Sequence, residues 1–290
     1  MVQPSKSVQS VRVQRVRDGR DERVKDWVTV EEPLEIRLAL PGVPQGRGRP
    51  GTPAGVESIA VTMRTPGRDF ELAAGFLATE GVIRRKEDVR EITYCRSGRG
   101  PQEYNIVEVR LRSARGIDLA RLSRKVFTSS SCGICGKASI DAVEVQGCRP
   151  IAGGTLEIPA DVLVGLPDRL REAQGDFSRT GGLHAAGLFT GGGELVSIHE
   201  DVGRHNAVDK VVGEAFLQGA LPLLDRVLVV SGRTSFEILQ KAVVAGIPAV
   251  VAVGAPSSLA VELAERFNLT LAGFVRRGGY NLYADGDRVR

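Results

Sequence analysis

The stretch RVLVVSGRTSFEILQKAVVAGIPAVVAVGAPSSLAVELAERFNLTLAGFV (residues 226–275) decides the fold class. It contains three short apolar runs, which are predicted strands, and two amphipathic segments, which are predicted helices. The strands are predicted at 226–230, 249–253 and 269–275, and the helices at 235–245 and 258–267. Fully apolar strands that alternate with helices indicate βαβ units and a parallel sheet that is covered on both faces.

Ligands of such sheets bind at the loops beyond the carboxyl ends of the strands. These loops are predicted at 231–234, 254–258 and 276–279. The segment FVRRGG (274–279) combines an aromatic ring, two guanidinium groups and flexible backbone amides, a set that suits a guanine base with its phosphates. Two glycines after a strand are also the usual signal for a plain turn, so the segment alone leaves both interpretations open.

The first half of the chain reads as a mixture of strands and one helix, for which we expect an antiparallel sheet. Apolar residues recur at helical spacing over 69–80, and Gly81 follows as a helix cap. Strands are predicted at 26–40, 58–65, 89–94 and 104–111. The segment PGVPQGRGRPGTPAG (41–55) is dominated by Gly, Pro and Arg and is predicted to be a disordered insertion.

The charge of the chain is unevenly distributed. The 290 residues carry 39 Lys and Arg against 35 Asp and Glu, a net charge of +4, and the excess lies within the first 25 residues. We interpret residues 1–26 as a flexible basic tail, which supports at most a salt-sensitive, sequence-independent contact with nucleic acid and no specific one. The longest apolar stretch is too short for a membrane helix, and no secretory signal precedes it, so we expect a cytoplasmic protein without membrane contact.

Two of the four cysteines form the strongest local motif, SSSCGICG (129–136). The spacing of Cys132 and Cys135, with Lys125 and Lys137 nearby, favours a lowered thiol pKa and a reactive thiolate. The same spacing is also half of a structural zinc site, so thiol chemistry and metal binding both stay open. Cys95 and Cys148 are isolated and are predicted to be small buried hydrophobic residues.

All three histidines fall within a short region that is rich in glycine and acidic residues. They are His184, His199 and His205. His205 suits proton transfer near its ordinary pKa, and Arg204 beside it suits anion binding. For each single histidine a purely structural role, as an N-cap or a satisfied polar residue, is the favoured interpretation, and 206–217 reads as a plain helix.

Taken in order, these segments resemble the FdhD family of formate dehydrogenase accessory sulfurtransferases. The resemblance rests on six motifs in family order: TPG (65–67) with the helix to Gly81, SCGICG (131–136), TGGLHAA (180–186), EDVGRHNAVDK (200–210), SGRTSFE (231–237) and GAPSSLA (254–260). It covers roughly residues 27–284. It implies an α/β protein, α+β overall, with a smaller mixed α+β domain (27–125) and a cytidine-deaminase-like α/β domain (126–290), assembled as a homodimer.

The resemblance also implies a function. A member of this family accepts persulfide sulfur from a cysteine desulfurase and transfers it to the molybdenum or tungsten cofactor that carries two pterin guanine dinucleotides, for formate dehydrogenase. By motif position Cys132 carries the sulfur, Cys135 assists, and no resident metal is implied. The cofactor-binding segment falls on Phe274, Val275, Arg276, Arg277, Gly278 and Gly279, and GDP serves as a surrogate for half of the cofactor.

Two other enzyme classes stay open as alternatives. A zinc-dependent deaminase carries H-x-E before P-C-x-x-C, whereas in this chain the cysteine pair precedes His184, and Ala186 occupies the place of the glutamate. A thiol-disulfide oxidoreductase needs its Cys-X-X-Cys at a helix start after an early strand, a position for which Gly133 and Gly136 are poor choices.

Overall fold

A computed structural model of the protein describes residues 7–41, 55–95, 104–113, 148–154 and 156–290. The first element is a β-hairpin, and it corrects the prediction of a flexible tail over 1–26. Strands β1 (Val8–Arg17) and β2 (Arg20–Thr29) pair antiparallel along their whole length. Asp18 and Gly19, at the turn, both have positive φ, as the tight turn of a hairpin requires.

Ion pairs and a cation–π contact stabilise the hairpin, and the charge pattern of the sequence did not predict them. Arg15 forms ion pairs with Glu22 and Asp26 across the strands, so the charges of these three side chains partly neutralise one another. The guanidinium of Arg179 stacks on the ring of Trp27, 4.6 Å from its centre, and ties the hairpin to the rest of the chain. Because β2 ends at Thr29, the single strand predicted over 26–40 is divided in two.

Among the described residues, the rest of the first half consists of a four-stranded sheet, one α-helix and a short 3-10 helix (Lys86–Asp88). The strands are β3 (Glu32–Ala39), β4 (Val56–Arg64), β5 (Val89–Tyr94) and β6 (Ile106–Leu111), in the order β4-β3-β6-β5. The expectation of a purely antiparallel sheet is wrong, because β3 and β6 pair parallel. Helix α1 (Asp69–Thr79) confirms the predicted helix, and Gly81 adopts the left-handed conformation that follows it.

Most of the predicted insertion 41–55 lies outside the described residues. Its two ends meet, because the amide of Leu40 donates to the carbonyl of Gly55 at 3.4 Å.

The second half is built on a six-stranded sheet. The strands are β7 (His184–Thr190), β8 (Leu195–Asp201), β9 (Arg226–Val230), β10 (Ala249–Ala252), β11 (Thr270–Arg276) and β12 (Gly279–Ala284), in the order β12-β11-β10-β9-β7-β8. Strands β9, β10 and β11 are parallel, as predicted. The outer strands are antiparallel, so the sheet is mixed where a parallel one was expected.

Helices cover this sheet on both faces, as predicted. They are α2 (Ala160–Ala173), α3 (Gly175–Thr180), α4 (Arg204–Gln218), α5 (Phe236–Ala245) and α6 (Ser258–Arg266). Alternate strand residues face α4, α5 and α6 on one side, as Leu228 and Val250 do. The others face α2, as Val229 and Val251 do. None of the helices in the described ranges is long and apolar enough to cross a membrane.

Helix α1 packs directly on helix α4 and so joins the two halves of the chain. Gly75 and Gly213 lie at the crossing, where a Cβ on Gly75 would stand 1.8 Å from the carbonyl oxygen of Asp209. Asp209 and Lys241 form a buried ion pair beside this crossing, with Nζ to Oδ1 at 2.8 Å. The predicted division at 125/126 falls among residues outside the described ranges, and the cytidine-deaminase-like comparison stays a prediction.

Candidate functional site

The loops that follow β9 and β10 lie beside the end of strand β11 at one edge of the six-stranded sheet, as the strand pattern predicts for the first two loops. The amide of Gly254 donates to the carbonyl of Gly232 at 3.1 Å, and the amide of Phe274 donates to the carbonyl of Gly254 at 3.2 Å. A Cβ on Gly254 would come within 3.0 Å of the backbone of Arg233. The glycine therefore permits a close approach that fixes these two loops against each other and against the end of β11.

Phe274 has an unusual backbone conformation at the end of β11. Its φ is +53°, and the pairing of β11 with β12 shifts register between Gly273 and Arg276. Such a bulge turns a side chain away from its regular alternation and is common beside functional sites. Phe274 is 47% exposed, which is unusual for a large aromatic residue and makes it a candidate for stacking with a ligand.

The other members of the predicted cofactor segment differ in what they offer. Val275 is buried in the core against α2, so only its backbone faces the loop, and its predicted part in cofactor binding stays a prediction. Arg276 is exposed, and the Nε of Arg277 lies 2.6 Å from a carboxylate oxygen of Asp168 on α2. Gly278, with φ of +98°, and Gly279 form the turn into β12.

His184 and its neighbours form a positively charged recess beside the loop after β9. The Nδ1 atom of His184 lies 3.3 Å from the position that a Cβ on Gly232 would take. Burial lowers the pKa of His184, and the nearby positive charges of Arg204, His205 and Arg233 lower it further. The ring is therefore held neutral in a strongly electropositive environment.

His205 lies in the first turn of α4 and faces the start of α5. Its Nε2 atom is 2.8 Å from the carboxylate of Glu237 and 3.3 Å from the hydroxyl of Ser235. The hydrogen bond from His205 lowers the pKa of Glu237. His184 and His205, which the sequence placed in one motif region, thus reach the same loop from two different elements.

The acidic residues of the same motif region have structural roles. Asp201 is fully buried and accepts hydrogen bonds from the amides of Thr65 and Gly203, while Lys210 forms an ion pair with it at 2.7 Å. Glu200 accepts from the amides of Asp176 and Phe177 at the start of α3. These carboxylates position the loop that leads into α4 and are not available to a ligand.

His199 is also structural. Its Nε2 atom lies 2.8 Å from Glu214, and the side chain is buried. Burial lowers the pKa of His199, and the hydrogen bond to Glu214 opposes that shift without reversing it. Of the three histidines, only His184 and His205 lie at the strand-end loops.

The cysteine motif cannot be described in the same way. Cys132 and Cys135, with Lys125 and Lys137, lie outside the described residues. Cys95 and Cys148 are half-buried, which is less than the full burial that was predicted. Burial raises the pKa of the Cys148 thiol, so this cysteine is a weak nucleophile.

Sequence analysis missed two contributions to the site. Thr234 is 1% exposed, and its hydroxyl has no hydrogen-bond partner among the described residues. Glu237 was quoted only as part of a motif, although it pairs with His205. Thr234 is part of the predicted strand-end loop 231–234 and Glu237 of the predicted helix 235–245, yet only the folded chain shows that the Thr234 hydroxyl lacks a described partner and that Glu237 reaches His205.

Comparison with known proteins extends this description. The FdhD/NarQ family model matches residues 54–290. The chain is 51% identical over 281 residues to the sulfur carrier protein FdhD of Streptomyces coelicolor, with 96% of this chain and 94% of that protein covered. The sulfur carrier protein FdhD of Streptomyces avermitilis is also 51% identical, over 283 residues. Because these alignments cover 96% of this chain, they include at least part of the hairpin. The resemblance was expected to begin only at residue 27.

A solved structure shares the fold. A candidate formate dehydrogenase accessory protein from Desulfotalea psychrophila superimposes with a TM-score of 0.71 and 24% identity, covering 98% of this chain and all of that one. The family model spans well over half of the sequence and the relatives align almost end to end. The chain therefore belongs to the FdhD/NarQ family.

Proposed function

We propose that this protein is a sulfur carrier in the maturation of formate dehydrogenase. In this proposal Cys132 takes sulfur from the persulfide of a cysteine desulfurase. The protein then passes this sulfur to its substrate, the molybdenum cofactor that carries two guanine dinucleotides. The observation that carries the proposal is the near full-length, 51% identity to relatives named sulfur carrier protein FdhD. The exposed ring of Phe274 beside a basic recess is consistent with a nucleotide-bearing substrate.

The chemistry begins with thiol exchange. The Cys132 thiolate attacks the outer sulfur of the donor persulfide, a new S–S bond forms on Cys132, the donor S–S bond breaks, and the donor leaves as a thiolate. Attack by Cys135 on the inner sulfur of this persulfide then forms a Cys132–Cys135 disulfide and releases hydrosulfide for transfer to the substrate. A low-molecular-weight or protein dithiol reduces the disulfide before the next cycle.

The first test follows the sulfur. After incubation of the full chain with a cysteine desulfurase and cysteine, we expect mass spectrometry to show an adduct of about 32 Da, one sulfur, on the Cys132 peptide. Cys132→Ala removes the adduct and fails to restore formate dehydrogenase activity in cells that lack this protein. Cys95→Ala and Cys148→Ala are matched controls that keep both. An adduct that persists in Cys132→Ala and is lost only in Cys135→Ala reverses the two roles, and no adduct on either cysteine contradicts the function.

The second test concerns the substrate-binding segment. Loss of base stacking costs about 1–3 kcal/mol per base, so Phe274→Ala should weaken GDP binding by about tenfold or more in calorimetry. We expect a comparable loss for the Arg276→Ala, Arg277→Ala double variant. The exposed pair Arg84 and Arg85 lies in the loop before β5, and changing both to Ala is the matched control, which should bind GDP normally. Unchanged GDP affinity in both test variants would show that the nucleotide binds elsewhere.

A further inference from the structure

One face of the N-terminal hairpin is basic and exposed. Residues that pair across β1 and β2 project to the same side of the hairpin. Four successive pairs of exposed residues form this face: Ser10 with Trp27, Arg12 with Lys25, Gln14 with Arg23, and Val16 with Asp21. At about 3.4 Å per residue the face is about 20 Å long, so it is large enough to meet another macromolecule.

The charge of this face is not neutralised. Three of its residues are cations that form no ion pair with another described residue: Arg12, Arg23 and Lys25. Arg179 adds a fourth cation, since its guanidinium stacks on the ring of Trp27. The one acid of the face, Asp21, accepts a hydrogen bond from the side chain of Gln14. We call these four cations and Trp27 the basic stripe.

The opposite face of the hairpin and its tip carry acids. Glu22 and Asp26 pair with Arg15 on the opposite face, and Asp18 lies at the turn. A two-stranded ribbon that binds nucleic acid lies in a groove, where phosphates surround it on both sides. The acids of the opposite face and the tip would repel those phosphates. The one-sided charge of the hairpin fits an acidic surface of a protein better.

The basic stripe has the residue types of a protein interface. Trp27 is 44% exposed at one end of the face, and Val16 is 65% exposed at the other end. Tryptophan and arginine are the residues that most often dominate the binding energy of protein interfaces. Exposed apolar anchors among unpaired cations indicate a surface that binds an acidic partner protein.

The hairpin is anchored next to the candidate site. Thr29, the last residue of β2, donates a hydrogen bond from its hydroxyl to that of Thr180 at 3.1 Å. A Cβ on Gly182 would lie 3.1 Å from the same hydroxyl oxygen of Thr29. Two residues further along, His184 begins β7 and lies beside the loop after β9. Because Arg179 directly precedes Thr180, the basic stripe starts close to the edge of the sheet that carries the candidate site.

We propose that the basic stripe is the docking surface for an acidic patch on the protein that donates sulfur. This inference rests on the proposed function, in which Cys132 attacks a persulfide that another protein carries, so the two proteins form a complex. The complex is transient, because the donor leaves as a thiolate after each transfer. Exposed charges suit such a complex, since they speed the encounter of two proteins more than they prolong their contact.

The test measures the initial rate of persulfide formation on Cys132 at increasing concentrations of the full chain, with a cysteine desulfurase and cysteine at about 0.15 M salt. Arg12→Glu combined with Arg23→Glu should raise the KM for the chain by about tenfold or more, because both side chains then repel the acidic patch. The kcat should stay unchanged, since neither residue takes part in the sulfur exchange. Added salt should raise the KM of the original protein more than that of the variant.

Arg17→Glu combined with Arg20→Glu is the matched control, because this register pair makes the same change of charge on the opposite face of the hairpin. It should leave the KM close to its original value. Trp27→Ala changes no charge and should raise the KM by about tenfold through the loss of an interface anchor. Trp27 is the only tryptophan of the chain, so its fluorescence shows whether the hairpin stays folded in the charge variants.

An unchanged KM both in the Arg12, Arg23 variant and in Trp27→Ala overturns the docking surface, while the persulfide on Cys132 in the same experiment still supports the sulfur carrier. An original chain that forms no persulfide overturns both. The docking surface is also wrong if the charge variant keeps its KM and loses affinity for a DNA duplex of random sequence, which assigns the basic stripe to nucleic acid. It is equally wrong if the variant keeps its KM and sedimentation shows a changed oligomeric state, which assigns the stripe to a second copy of the chain.

Discussion

Gly75→Ala should destabilise the protein by about 3 kcal/mol, the upper end of the usual cost of overpacking, because the contact is between backbone atoms that cannot move aside. A Cβ on Gly75 would lie 1.8 Å from the carbonyl oxygen of Asp209 and 2.8 Å from the amide nitrogen of Gly213. These are backbone atoms inside a helix, so no side chain can turn aside to make room. Helices α1 and α4 would have to move apart and would lose the packing that joins the two halves of the chain.

Gly213→Ala should have a similar effect, since its Cβ would lie 1.8 Å from the carbonyl oxygen of Glu71 on the opposite helix. Gly165 in α2 is the matched control, because a Cβ there meets nothing within 4 Å. Gly165→Ala should therefore raise stability by up to about 1 kcal/mol through helix propensity alone. Urea unfolding followed by circular dichroism measures all three variants. Equal stabilities for Gly75→Ala and Gly165→Ala would mean that the two helices do not cross this closely.

The parts of the fold that could be predicted are those whose signal is local. The apolar runs of β9, β10 and β11 and the amphipathic helices between them match the predictions to within two residues. The parallel pairing of β3 with β6 could not be predicted in this way, because it joins strands that are far apart in the chain. Such pairing depends on the packing of the whole sheet and not on the pattern of either strand.

The hairpin of β1 and β2 is a different case. The sequence contains a hairpin pattern there, but the clustered basic charge led to the prediction of a flexible tail. Asp18-Gly19 is a strong hairpin turn, and Val11 and Val13 alternate with polar residues before it. The clustered basic charge favoured a flexible tail instead. In the folded chain Arg15 lies opposite Glu22 and forms ion pairs with Glu22 and Asp26, whereas Arg12 lies opposite Lys25 and Arg17 opposite Arg20, so the hairpin forms although most of its basic charge is not paired across the strands.

The candidate site shows the same division between local and tertiary information. The strand-end loops follow from the strand pattern, and the loops after β9 and β10 lie together beside the end of β11. The recess does not follow from it, because His184 and His205 come from different elements and approach the loop only in the folded chain. The motif residues Asp201, Asp209 and Lys210 were equally suggestive in sequence, yet burial commits them to ion pairs.

Lys241→Met should cost about 3–5 kcal/mol at neutral pH, because it leaves a buried carboxylate without its cation. The Nζ atom of Lys241 lies 2.8 Å and 2.9 Å from the two carboxylate oxygens of Asp209, and it also donates to the hydroxyl of Thr79 at 3.0 Å. Burial lowers the pKa of Lys241, but the negative charges of Asp209 and Glu80 outweigh it and hold the pKa above its ordinary value. Methionine fills a similar space and supplies none of these donors.

The stability that Lys241→Met loses should depend on pH, and the pKa of Asp209 sets the direction of this dependence. Burial already raises the pKa of Asp209, and only Lys241 and Thr79 oppose it strongly. Without Lys241, the folded-state pKa of Asp209 rises further above its unfolded value, so the folded variant binds more protons than the unfolded one. Its stability deficit should therefore be largest at pH 7 and should shrink as the pH falls through the raised folded-state pKa. Urea unfolding at pH 7 and at pH 5, relative to the original protein, measures this change.

Two further variants distinguish a buried ion pair from a solvated one. Adding Asp209→Asn to Lys241→Met removes the orphaned charge and should recover most of the lost stability, with the pH dependence abolished. Arg290→Met removes the exposed partner of Glu157, 3.6 Å away, and should cost less than about 1 kcal/mol. If Lys241→Met also loses less than about 1 kcal/mol of stability, and the loss is the same at pH 7 and pH 5, water reaches Asp209. The ion pair would then contribute little to holding α4 against α5 and α1, and the helix crossing at Gly75 would have to hold the two halves of the chain by packing alone.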